Sequence, residues 1–286
     1  MTMRIINLAA DLSPIYPGGR FDLACWEAYI RRADPSLADL CLEDMKADIA
    51  AGMVDFDRDL KPVLDACWRD APARREAIAS FEAVTAELDE RIRACFGRTV
   101  EADVILYPGL CSGAGWVTKL RGRDVILLGL EKITELRWCS EDDMRGLIFH
   151  ELGHVYQRQY GVLDRTCSTF RQQFLWQLFT EGVAMRFEQL LAGDMNYFHQ
   201  DRDGWANWCS QRLAQIRADF LTDLDTMRRD NQRWFGDWVR YEGRGDVGYF
   251  LGARFVAFIC RDRAFDEILS LEPEEVGALY LAFCRA

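Results

Sequence analysis

The chain is poor in histidine, with three in 286 residues, at positions 150, 154 and 199. Its ten cysteines stand at 25, 41, 67, 95, 111, 139, 167, 209, 260 and 284, and no two are spaced C-x-x-C. That spacing excludes zinc-ribbon and thioredoxin-like sites. There is no basic excess. The net charge is −11, which argues against nucleic acid or an anionic membrane surface as partner. There is no long apolar run either. The longest, Val247–Cys260, is broken by Arg254 and falls short of the ~20 residues that span a bilayer. The first residues show no apolar core followed by a cleavage site, so no signal peptide is predicted. Many cysteines without an export signal predict a reducing, cytoplasmic setting. Internal repeats and low-complexity linkers are absent as well.

What is present is an ordinary globular composition, 50% hydrophobic and 28% charged. This length predicts a single unit: a helical N-terminal region over 1–97, a sheet with the site helices over 98–193, and a helical C-terminal region over 194–286. The fold class expected is α+β, mostly helical, with a small sheet beside one central helix.

That helix carries His150-Glu151-Leu152-Gly153-His154. Residues four apart lie one above the other on a helix, so both imidazoles can face one metal ion. Glu151 follows His150 directly and is placed to reach a water on that ion. The helix is predicted over 141–160, roughly 30 Å at 1.5 Å per residue. Ser140 and Asp143 resemble a capping box, acids fill the first turn, and Gly161 stands at the C-cap position. The flanks Ile148, Phe149, Leu152 and Val155 are apolar, as a helix inside a core requires.

Upstream, residues 1–20 read as irregular, with turn signals at Pro14, Pro17, Gly18 and Gly19. Helices are predicted over Phe21–Ala33, from Ser36 to near Gly52, around 57–70, and over Pro72–Phe96. Strands are predicted at Asp103–Tyr107, Trp116–Thr118 and Asp124–Leu128, with Arg121-Gly122 as a turn. An edge of this sheet can bind an extended peptide, or can simply support the helix. The loop Gly109-Leu-Cys111-Ser-Gly113 runs from strand to strand. This disfavours Cys111 as a nucleophile on a strand-to-helix elbow.

Downstream, Thr169 and Gln172 open a helix over 168–191, closed by Gly193. Phe174, Leu178, Glu181, Met185 and Glu188 share one face. A carboxylate at 181 within an apolar stripe needs a partner, and a zinc ion is such a partner. Asp164 and His199 are the other candidates for third ligand, although His199 reads as a surface residue in the polar loop 196–204. Helices are predicted over 205–220, 222–235, 249–260 and 264–284, the last interrupted at Pro273.

His150-Glu-Leu-Gly-His154 followed by Thr180-Glu-Gly-Val-Ala184 resembles the zincin metallopeptidases, specifically the Glu-zincins. The second stretch is similar to the N-E-G-x-A motif of M1-type aminopeptidases, with Thr180 in place of Asn. Together the two motifs cover about 35 residues. The chain departs from that pattern in a longer gap from His154 to Glu181 and in having no upstream G-x-M-E-N. No Asp follows Glu181 by one turn, and Glu188 is its nearest substitute. The resemblance implies a zincin-like fold and Zn2+ held by His150, His154 and Glu181. It implies a peptide or protein substrate hydrolysed by water that Glu151 activates. Tyr249, Tyr241 and Arg244 are candidate donors to the oxyanion, Tyr249 first. A competing class is a zinc-containing binding or regulatory protein that is catalytically silent.

Overall fold

A computed structural model describes residues 3–236 and 238–286. The chain divides into two compact units, Met1–Glu151 and Leu152–Ala286, and the division falls inside the motif helix.

The first unit opens with β1 (Arg4–Asn7), followed by α1 (Leu23–Ala33), α2 (Pro35–Ala50), α3 (Lys61–Arg69), α4 (Ala71–Thr85) and α5 (Leu88–Phe96). Then come β2 (Ala102–Tyr107), β3 (Gly115–Leu120), β4 (Arg123–Gly129), α6 (Leu130–Glu135) and the start of α7 (Glu141–Tyr160). The three predicted strands form, each slightly longer than expected. The sheet order is β1-β2-β4-β3, with β1, β2 and β4 parallel and β3 antiparallel to β4. Arg121 and Gly122 adopt φ of 50° and 76°, the left-handed pair that a two-residue hairpin needs.

β1 corrects the reading of residues 1–20 as irregular; positions 1 and 2 lie outside the described residues. Four residues are too short for a pattern, and β1 exists because β2 offers it a parallel partner. The predicted single helix over 72–96 is two helices. Thr85 Oγ donates to the Phe81 carbonyl at 2.7 Å, the side-chain bond that competes with helix continuation. Asp34, rather than Ser36, caps α2, accepting the N–H groups of Ser36 and Leu37.

Alternation along the strands sorts the two faces. Trp116 and Thr118 point the same way as Tyr107, Val125 and Leu127. On this face Trp116 Nε1 donates to the Tyr107 hydroxyl at 3.2 Å, and Tyr107 reaches Cys41 of α2. Gly115 and Val117 point the other way, with Ile126 and Leu128, and Gly115 rests on Leu147 and Glu151 of α7. Both faces are covered, so β2 and β4 are apolar on both sides.

The second unit holds the rest of α7, then α8 (Phe170–Ala192), α9 (Trp205–Gln211), α10 (Leu213–Asp223), α11 (Val247–Ile259), α12 (Phe265–Ile268) and α13 (Pro273–Arg285). The predicted caps at Thr169 and Gly193 both form. Gly161 is not a left-handed cap. A Cβ there would run into the Leu269 backbone, so close approach explains this glycine.

The predicted helix over 222–235 does not form beyond Asp223. Gln232 instead accepts the N–H groups of Trp234 and Phe235, both at 2.9 Å. Trp234 is fully buried, stacked on Tyr241 at 4.6 Å and donating to Asp223. Burial of one large aromatic outweighs helix propensity here. No helix among the described residues is long and apolar enough to cross a membrane.

Candidate metal centre

The structure brings His150, His154 and Glu181 together. One ligand atom from each lies within 4.8 Å of the others, a group that could hold a metal ion. His154 Nε2 stands 3.3 Å from Glu181 Oε2. Both imidazoles come from α7, which forms over the predicted residues. Its first turn is capped as expected: the Asp143 N–H donates to Ser140 Oγ at 3.2 Å, and the Ser140 hydroxyl donates to the Asp143 carboxylate at 2.6 Å. His150, Glu151 and His154 are all buried.

Glu181 reaches His154 because its neighbours are small. Gly153 of the motif faces Ala184, and a Cβ at 153 would sit 2.7 Å from the Ala184 Cα. On the other side, Gly182 packs against the Gly252 carbonyl of α11, too close for any side chain. The stretch Thr180–Ala184 therefore lets α8 approach α7 and α11 at backbone distance, with Glu181 between the two crossings. Gly153→Ala is expected to force α7 from α8, destabilising the fold by about 1–3 kcal/mol and weakening metal binding. Thermal unfolding and a metal titration measure both.

The donor set fits a metal. Two imidazoles and one carboxylate are a mixed nitrogen and oxygen set of the kind that holds divalent transition metals.

Glu151 is held differently. Its carboxylate lies against β3: a Cβ on Gly115 would fall 2.8 Å from Glu151 Oε1. β3 is the outer strand of the sheet on that side. The Gly129 N–H donates to the Ala114 carbonyl at 3.0 Å, which makes Ala114–Gly129 a hydrogen-bonded pair. Pairs alternate in an antiparallel ladder, so the N–H and C=O of Gly115 and of Val117 point away from β4, along the outer edge. The sequence placed an edge strand near the helix but did not single out Gly115. Its only signal was a glycine opening a strand.

The other candidates have contacts of their own. Asp164 is 71% exposed and takes Arg158 Nε at 2.9 Å. His199 is buried, which corrects the reading of a surface residue: its Nδ1 lies 3.0 Å from Glu188 Oε1, and its backbone N–H donates to the same oxygen. Glu188 thus serves His199. The Tyr241 hydroxyl donates to Asp219 at 2.7 Å, and burial with that bond pushes its pKa up. Arg244 lies over the Trp208 ring at 6.0 Å. Tyr249 is half-buried in the first turn of α11, its ring 5.9 Å from Phe235 in an edge contact. It stands three residues before Gly252, which rests on Leu178 and Gly182 of α8.

No disulfide joins the cysteines among the described residues. Burial pushes the thiols of Cys41, Cys67 and Cys209 up to about 12 and that of Cys139 to about 11. Burial likewise raises Cys111, which works against a nucleophilic thiolate there. No protein-family model, curated protein or solved structure matches the chain, so the meaning of this site rests on its geometry and chemistry.

Proposed function

We propose that this protein is a zinc-dependent peptide hydrolase with a zincin-like fold. The observation that carries the reading is the convergence of His150, His154 and Glu181, with Glu151 on the same helix. His150, His154 and Glu181 would hold the ion. A bound zinc ion supplies Lewis acidity and brings the pKa of water to about 7.

The chain's own groups do the rest. Glu151 accepts the proton of the attacking water and returns it to the leaving nitrogen. The outward N–H and C=O groups of Gly115 and Val117 pair with an extended peptide, laying it along β3 beside the Glu151 carboxylate. Backbone pairing of this kind favours a peptide over other amides, because only a peptide supplies matching groups at strand spacing. Tyr249 is the donor assigned to the tetrahedral oxyanion, by its position beside α8.

The purified protein is expected to contain zinc by elemental analysis and to cleave a broad peptide mixture, with cleavage abolished by a chelator and restored by zinc. Zinc without any cleavage would favour the silent binding protein instead.

A further inference from the structure

The loop Pro108–Ala114 between β2 and β3 holds Gly109 and Gly113, and Cys111 adopts a φ of 69°. Successive backbone N–H groups in such a loop form a concavity that takes an anion. Here the anion comes from the chain itself. Glu131, in the first turn of α6, is only 2% exposed. The Gly109 N–H donates to one of its carboxylate oxygens at 2.8 Å and the Cys111 N–H to the other at 2.9 Å, and Glu131's own backbone N–H joins them. The glycines around it leave no room. A Cβ on Gly109 would fall 2.5 Å from Glu131 Oε1, and one on Gly129 3.2 Å from it. A carboxylate buried this deeply is costly unless donors surround it. Burial does push its pKa up, and the three N–H groups work against that shift. The last residue of the loop, Ala114, is bonded to Gly129, and the next is Gly115, against Glu151.

We propose that Glu131 is a positioning residue, an internal anion that fixes the Pro108–Ala114 loop and thereby holds the β3 edge where a peptide lies beside Glu151. The inference rests on the peptide-hydrolase reading. A carboxylate that served only general stability would loosen the whole first unit when altered. One that positions the edge acts on the loop and on substrate pairing, and therefore on KM more than on kcat.

Two variants test it from opposite sides. Glu131→Gln keeps the shape and removes the charge. Gly109→Ala leaves Glu131 intact and wedges a methyl against it. Amide hydrogen exchange read by mass spectrometry on the full chain is expected to speed up at least tenfold over residues 108–117 in both, with α7 unchanged. On a peptide substrate, KM is expected to rise about tenfold, while kcat changes less than threefold and zinc content stays at the wild-type value. Unaltered exchange over 108–117 in both variants overturns the proposal. So does faster exchange with an unaltered KM, or faster exchange spread evenly over the first unit. Wild-type protein that cleaves no peptide overturns the hydrolase reading, and the exchange measurement then still decides whether Glu131 anchors the loop.

Discussion

Glu151→Gln is expected to leave zinc content unchanged and to lower peptide cleavage by on the order of 10²–10⁴-fold, the usual contribution of a positioned proton carrier. The substitution is close to isosteric. Glu151 is buried and lies against Gly115, so an amide of the same size keeps the packing while losing the ability to accept a proton. The residue is adjacent to His150 on α7 but stands outside the three-residue metal group, and this is why the metal should stay. Elemental analysis and initial rates on one defined peptide measure the two quantities together. Full turnover in the variant would remove Glu151 from the mechanism. Loss of zinc would make it a ligand rather than a proton carrier.

Glu181→Gln is expected to separate a metal site from a structural ion pair. Binding of structural zinc is worth about 10–16 kcal/mol. Shared over three or four ligands, one ligand contributes about 3–4 kcal/mol, which is on the order of 10²–10³-fold in affinity. The metal-free protein should behave in the opposite way. Its carboxylate is mostly buried, 15% exposed in the side chain, against the His154 imidazole at 3.3 Å. Neutralising a buried carboxylate relieves a burial cost where no cation faces it. Thermal unfolding with chelator is therefore expected to give a midpoint equal to or above wild type. Zinc should raise the wild-type midpoint strongly, by about 4 kcal/mol of added stability at a thousandfold excess over Kd, and the variant's hardly at all. Equal destabilisation of the variant with and without zinc would mean that Glu181 only pairs with His154.

The parts legible from sequence were those set by local chemistry. α7 forms over 141–160 because Ser140 and Asp143 cap it, three acids fill its first turn, and its motif faces are apolar. Thr169 and Gly193 mark helix ends that the structure keeps. Long-range partners were not legible. β1 has too few residues to show a period and forms only against β2. His199 sits in a polar stretch, yet it is buried because Glu188, eleven residues earlier, meets both its ring and its backbone. Residues 224–235 carry a helical pattern, but Trp234 takes the core position that a helix would deny it. Gly161 looks like a cap and instead makes room for the Leu269 backbone.

The sequence by itself determined which side chains can bind a metal and that two of them share one helical face. That follows from the pitch of the α-helix alone, about 3.6 residues to a turn, and needs no other part of the chain. Tertiary structure decided the third member of the group, because Glu181 meets His154 where Gly153 and Gly182 let three helices pack at backbone distance. It also decided the neighbour of Glu151. Strand order leaves β3 at the rim of the sheet, and Glu131 anchors the loop that leads into it. Contacts between residues far apart in the chain depend on which surfaces pack together, and no local pattern records that.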